Sequence, residues 1–224
     1  MSGKLVRVRA AVSIGLGVAG SITGFAGFRR WHQRWGATDE EVAAWMPGDE
    51  LVNSAAFTAT RAITVGAPPR EVWPWLVQVG LGRAGFYSYD LLDNLGRPST
   101  REILPEFQAP RVGDLAAPMA SPANEANSFT VALIEPPTAL VWAKPDSTWS
   151  WRLTPLDRGG TRLVTRLKTQ YRVTPFLPVT MLLMEVGDFP MMRRMLLGIR
   201  ERAEAAAGAE APAEMSLDRD CPEQ

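Results

Sequence analysis

Between Gly36 and Arg200 the sequence contains no histidine and no cysteine; the single His32 precedes that stretch and the single Cys221 follows it. An internal disulfide is therefore excluded, and so, within the body of the chain, are Cys–His and Ser–His nucleophilic pairs and most zinc sites. No metal-ligand spacing and no cofactor motif stands out, so neither is expected. Net charge is also lacking: 24 Lys and Arg balance 24 Asp and Glu over 224 residues. The balance is uneven along the chain. Residues 1–35 carry Lys4, Arg7, Arg9, Arg29, Arg30 and Arg34 and no acid, whereas residues 201–224 carry seven acids against Arg202 and Arg219. The stretch between is neutral, which argues against a nucleic acid as partner.

What is present begins with AAVSIGLGVAGSITGFAGF at residues 10–28, nineteen residues without a charge. A helix rising ~1.5 Å per residue over that length nearly spans a ~30 Å hydrocarbon layer. Bases flank both ends, Trp31 and Trp35 follow where interfacial aromatics sit, and Gly20 and Gly24 form a GxxxG pair. FRRW follows the run in place of the small residues of a cleavage site, so no signal peptide is indicated. Residues 1–35 are thus expected to form an apolar, membrane-associated helix through residues 10–28. A surface-lying helix and a cytoplasmic location are the alternative. The glycines weaken the helix, and the bases do not orient it.

GLGVAG at residues 15–20 returns as GLGRAG at residues 80–85, and both fit G-x-G-x-x-G. A dinucleotide loop needs a strand before the glycines and a helix after them. The first copy lies in the apolar run. The second follows APPREVWPWLVQV, whose Val72, Trp75, Leu76 and Val79 recur at helical spacing, with Pro68 and Pro69 at its start and Pro74 limiting its length. Neither copy is a nucleotide loop. The second joins two short helices, the later one capped by Ser88, with Leu91, Leu92 and Leu95 on one face.

The remaining pattern is α+β. Thr38 and Glu41 form a capping box for a short helix reaching Met46, and TRAITV at 60–65 alternates as a strand. Beyond Pro98 the period becomes two. Residues 111–119 read as a strand, 128–144 as a hairpin about Pro136–Pro137, and 148–173 as a longer hairpin turning at Asp157–Gly160. In its second strand Leu163, Thr165, Leu167, Thr169 and Tyr171 face one way; Arg162, Arg166, Lys168 and Arg172 face the other, as a solvated basic surface. FLPVTMLLMEV at 176–186 is too short to span a bilayer and is expected to pack on the sheet. From Asp188 the helical period returns, with Phe189, Met192, Leu196, Ile199 and Ala203 on one face to about Ala206. Residues 207–224 read as a disordered acidic tail.

RAITVGAPPREVWPWLVQVGLGRAGFYSYDLLDNL, the SWRLTPL and TRLVTRLK hairpin and FPMMRRMLLGIRERAE together resemble the SRPBCC superfamily of START-like, polyketide-cyclase and lipid-transport domains. The sequence is most similar to an actinobacterial-type branch, over residues 36–206. The resemblance implies a helix-grip fold: a curved antiparallel sheet around a long C-terminal helix, two short helices after the first strand, and an elongated cavity between sheet and helix. It implies binding of a small hydrophobic molecule by a carrier or sensor. The alternative it implies is a cyclase or aromatase acting on a poly-ketone. An N-terminal apolar helix is extra to that domain.

Trp75, Phe86, Tyr87, Tyr89, Trp142, Trp149, Trp151, Met184 and Met192 are the expected ligand-binding residues on the inner surfaces. Met181, Met184, Met191, Met192 and Met195 cluster around the last helix, where thioethers re-pack around varied shapes. Arg83 and Asp90, with Tyr87 and Tyr89, are polar candidates for the cavity mouth. Arg83 would hold a carboxylate or enolate oxygen, and a tyrosine hydroxyl would donate to a carbonyl. Ordinary core packing and an Arg83–Asp90 surface pair fit the same residues. Asp90 and Asp93 are read as exposed. Oligomeric state is not legible.

Overall fold

A computed structural model describes residues 24–125, 127–171, 175 and 177–214. Residues 24–33 form helix α1. Helix α2 (Asp39–Ala43) follows, opened by the Thr38–Glu41 capping box, and a 3-10 turn (Asp49–Leu51) leads into β1 (Phe57–Val65). Helices α3 (Pro69–Val77) and α4 (Asp90–Asp93) separate β1 from the short β2 (Leu115–Ala116). Strands β3 (Phe129–Glu135), β4 (Ala139–Lys144), β5 (Ser147–Pro155) and β6 (Thr161–Thr169) complete an antiparallel sheet ordered β1-β6-β5-β4-β3-β2. Helix α5 (Leu177–Leu182), a π-helical turn (Leu183–Gly187) and helix α6 (Asp188–Glu214) end the described chain.

Strict alternation fixes the register, because side chains of period two can bury only one set on a given face. Ile63 opposes Leu163, Leu163 opposes Leu153, and Trp149 opposes both Leu167 and Trp142. These residues form the inner face. Helix α6 lies across it and buries Phe189, Met192, Leu196, Ile199 and Ala203, the stripe expected from the period. The helix runs on to Glu214, past the Ala206 where the sequence suggests an end, so residues 207–214 of the expected disordered tail are helical; residues 215–224 lie outside the described residues.

The outer face departs from expectation. Arg162, Arg166 and Lys168 do share it, but they are not a solvated surface: residues 36–51 lie over them, and Arg172 lies outside the described residues. Arg162 forms a two-pronged pair with Glu41 at 2.7 and 2.8 Å. Arg166 donates to Asp49 at 2.6 Å, to Thr60 Oγ1 and to the carbonyls of Glu41, Val42 and Ala44. Lys168 donates to the Asp49 carbonyl at 2.7 Å. A fork with five donors on a nearly flat surface satisfies carbonyls that the short α2 leaves unpaired at its end.

The same segment reaches the free edge of β1. The Ala62 amide donates to the Trp35 carbonyl at 3.2 Å, and a β-carbon on Gly36 would stand 2.1 Å from the Ala62 carbonyl oxygen. Only glycine fits there. GLGRAG, as expected, is a turn: Gly80 and Gly85 exchange two backbone hydrogen bonds at 3.0 Å. Gly80 has φ +138°, and a β-carbon there would lie 2.4 Å from Pro118 Cδ.

Among the described residues no helix is long and apolar enough to cross a membrane. Most of the uncharged run, residues 10–23, lies outside the described residues. Its last five residues, 24–28, belong to α1, which docks on the domain. Segment 177–187 differs from the expectation that it packs on the sheet, since Val179, Leu182, Leu183 and Val186 point outward.

Candidate functional site: a two-lobed cavity under the C-terminal helix

Inner-face side chains and α6 do not meet everywhere. A cavity of about 210 Å³ remains between Phe86, Met119 and Trp149 on one side and Leu183, Met184, Met191, Met192 and Met195 on the other. A second lobe of about 480 Å³ shares Met119, Trp149, Met184, Asp188 and Met192 with the first. The second is more polar, with Lys144, Ser147, Thr169 and Gln170 in its wall.

Four of the expected residues, Phe86, Trp149, Met184 and Met192, line the cavity, and the last three belong to both lobes. The π-helical turn supplies Met184, and the first two turns of α6 supply Met191, Met192 and Met195. Trp149 is held by its indole nitrogen, which donates to Thr165 Oγ1 at 3.0 Å; that hydroxyl donates in turn to the Ser150 carbonyl. Trp142 and Trp151 stand behind it, with ring centroids 5.3 and 5.1 Å from Trp149. They are a buried support and do not line either lobe.

The polar candidates are placed otherwise. Tyr87 is buried beside Trp75, at 6.2 Å between centroids, and its hydroxyl is used within the fold. That hydroxyl donates to the Trp75 carbonyl at 3.1 Å and accepts from Gln78 Nε2 at 2.9 Å; burial pushes its pKa up to about 12. Tyr89 is 46% exposed, so it is not on an inner surface. Arg83 donates to the carbonyls of Val77 and Leu115 and covers the Phe107 ring at 4.3 Å. Asp90 accepts from Ser99 Oγ at 2.5 Å and does not pair with Arg83. Ser88 caps nothing; it donates to the Met191 carbonyl and ties α6 to the loop before α4. Apart from Arg83 Nε, which is buried without a hydrogen-bond partner, the donors that a cyclase reading assigns to Arg83, Tyr87 and Tyr89 are thus spent on the fold or face solvent.

Two acids do reach the cavity: Asp93, which the sequence reading places in solvent, and Asp188, which it does not single out as a site residue. Asp93 lines the smaller lobe, and its carboxyl oxygens are buried without a hydrogen bond of ordinary geometry, so the expectation of an exposed residue is corrected. Burial raises its pKa, while the neighbouring Ser88 hydroxyl opposes the shift. Asp188 lines both lobes and pairs with Arg61 at 2.6 Å.

Arg61 sits on the apolar inner face of β1, with its Nε donating to the His32 carbonyl at 2.8 Å. His32 is itself buried, packed between Phe28 and Phe189, with both ring nitrogens unpartnered and Nε2 3.8 Å from Glu185. Burial, reinforced by the Arg61 charge, lowers the His32 pKa, and burial raises that of Asp188 against the pull of Arg61. A charged pair within an otherwise apolar stripe gives no periodic signal. Arg61 in RAITV reads as an ordinary strand residue until its partner at the start of α6 is seen.

Among the described residues no group of three or more His, Cys, Asp or Glu side chains is placed to hold a metal ion. No family model matches the chain, and no curated protein matches it. Solved structures are similar. A polyketide-cyclase-like protein of Corynebacterium glutamicum is 17% identical over 74% of this chain and 97% of its own, with a TM-score of 0.32. The Aha1 dimer from Colwellia psychrerythraea is 15% identical over 66% of this chain and 96% of its own, at 0.41. A protein of Nitrosomonas europaea is 18% identical over 69% and 99%, at 0.43. The fold is read from this chain's own topology. Among the described residues six antiparallel strands, two short helices after the first, and a long C-terminal helix across the inner face make it a helix-grip fold.

Proposed function

We propose that the protein binds a small hydrophobic molecule, as a carrier or sensor, in the cavity between the sheet and α6. The observation that carries this reading is the smaller lobe: five methionines, Phe86, Trp149 and Leu183 make most of its wall, and it adjoins a roomier lobe with more polar groups. Ligand sites of ~300–1,000 Å³ have this composition, an apolar body with a few polar groups that orient the guest. Five flexible methionines fit a guest whose shape varies. Attachment to a membrane through residues 10–28 belongs to the same proposal, since a bilayer is where such guests partition. Native mass spectrometry of the full chain from cell extract tests the ligand reading. A retained apolar molecule supports it. A bare chain that also fails to take up apolar dyes such as anilinonaphthalene sulfonate overturns it.

A further inference from the structure

Among the described residues two adjoining segments share one group of exposed apolar side chains, separate from the exposed Leu91, Leu92 and Leu95 at α4. Val179, Leu182, Leu183 and Val186 point outward from α5 and the π-helical turn, Leu182 at 63% and Leu183 at 58% exposure. Phe25, Phe28 and Trp31 are exposed on α1 at the spacing of a single helical stripe. The segments are fastened together: Arg29 makes a two-pronged pair with Glu185 at 2.8 and 2.9 Å, and the Trp31 ring packs 4.9 Å from Phe189. Leu183 is exposed and also lines the smaller lobe, so the cavity mouth lies within this apolar surface.

Water-facing apolar surface on that scale marks a contact site. What covers it is indicated by the chain that enters it. In the sequence the uncharged residues 10–23 directly precede α1, so its apolar stripe and the long apolar run are one stretch of sequence. Arg30 follows at its other end, while the neighbouring Arg34 is paired with Asp39, and Lys4, Arg7 and Arg9 precede the run. Such bases meet anionic headgroups favourably, and a tryptophan beside them suits the bilayer interface. A second copy would bring the same cations against one another. We propose that the joint face of α1, α5 and the π-helical turn docks on an anionic lipid bilayer and seats the cavity mouth at the level of the acyl chains. The face is defined by its own exposure, so this docking goes beyond the ligand reading and does not require a filled cavity.

The test uses the full chain with Cys221→Ser and Leu182→Cys, labelled with the polarity-sensitive dye NBD. A control carries the dye at Asp157→Cys, in the turn between β5 and β6. The probe is vesicles of phosphatidylcholine containing phosphatidylglycerol. Insertion predicts a blue shift with about a twofold or greater intensity gain at position 182 and none at 157. Val179→Asp with Leu182→Asp should weaken partitioning on the order of tenfold or more, because two side chains lose their burial in lipid. Three results would overturn the proposal. The chain fails to bind vesicles; it binds while the dye at 182 stays wet; or the dye is shielded before vesicles are added, with a dimer mass or a crosslink to residues 1–23.

Discussion

Arg61 and Asp188 meet at 2.6 Å on the inner face of the sheet, with side chains 1% and 8% exposed. One comes from the middle of β1 and the other opens α6, so the pair fixes the start of the gripping helix. Removing one partner strands the other without solvent. Arg61→Met or Asp188→Leu alone should cost roughly 3–5 kcal/mol, whereas the double variant should recover most of that loss. Urea denaturation of the four proteins checks the cycle. Additive losses would show that the charges act separately.

His32 gives a second expectation, in pH. Its pKa is lowered in the folded chain, so the unfolded chain takes up the proton first as pH falls. The stability contributed by a neutral His32 is complete above the unfolded value of ~6.5 and declines below it, toward the lower folded value. The urea midpoint should therefore drop between pH 7.5 and 5.5. His32→Phe, a ring of similar size between Phe28 and Phe189, should flatten that drop. An unchanged slope in the variant would assign it to other groups.

Met192 borders both lobes, which makes it the most economical place to fill the cavity. Met192→Trp should cost about 1–3 kcal/mol through overpacking and abolish retention of an apolar guest. Native mass spectrometry beside a thermal melt separates the two effects. Full retention in a folded variant would place the guest elsewhere.

Arg166 holds residues 41–49 over the outer face through carbonyls of three residues and one carboxylate. Arg166→Met leaves those acceptors without a donor. Amide exchange in residues 38–51 should accelerate at least about tenfold, while β5 and β6 keep their protection. Equal acceleration in every strand would mean that the segment is part of the global unfolding unit.

The sequence made the sheet and the long helix legible because both bury one face, and burial of one face leaves a period. Leu163, Thr165 and Leu167 alternate; Phe189, Met192 and Leu196 recur at helical spacing; both patterns match the structure. What escaped was whatever depends on a distant partner. Arg166 reads as solvated until residues 41–49 are laid on it. Arg61 reads as a strand residue until Asp188 arrives, and His32 appears outside the body until α1 docks. Tyr87 was legible as buried, but nothing local shows that Trp75 and Gln78 occupy its hydroxyl. In 177–187 apolar composition suggested packing, and the exposed face contradicts it for the side chains that point away from Met184.

The carbonyl of Trp35 on the amide of Ala62 also bears on how the protein behaves at high concentration. A sheet ends where a strand offers unpaired amides and carbonyls, and those ends are templates for another chain. Here one end is β1, whose central amide is already taken and whose Ala62 carbonyl is crowded by Gly36. The other end is β2, only two residues long. At the β1 border the run of hydrogen bonds that an incoming strand would copy is interrupted at Ala62, and β2 itself offers only two residues. Strand addition along β1 is therefore discouraged by a single glycine-bearing turn that packs across the middle of that border.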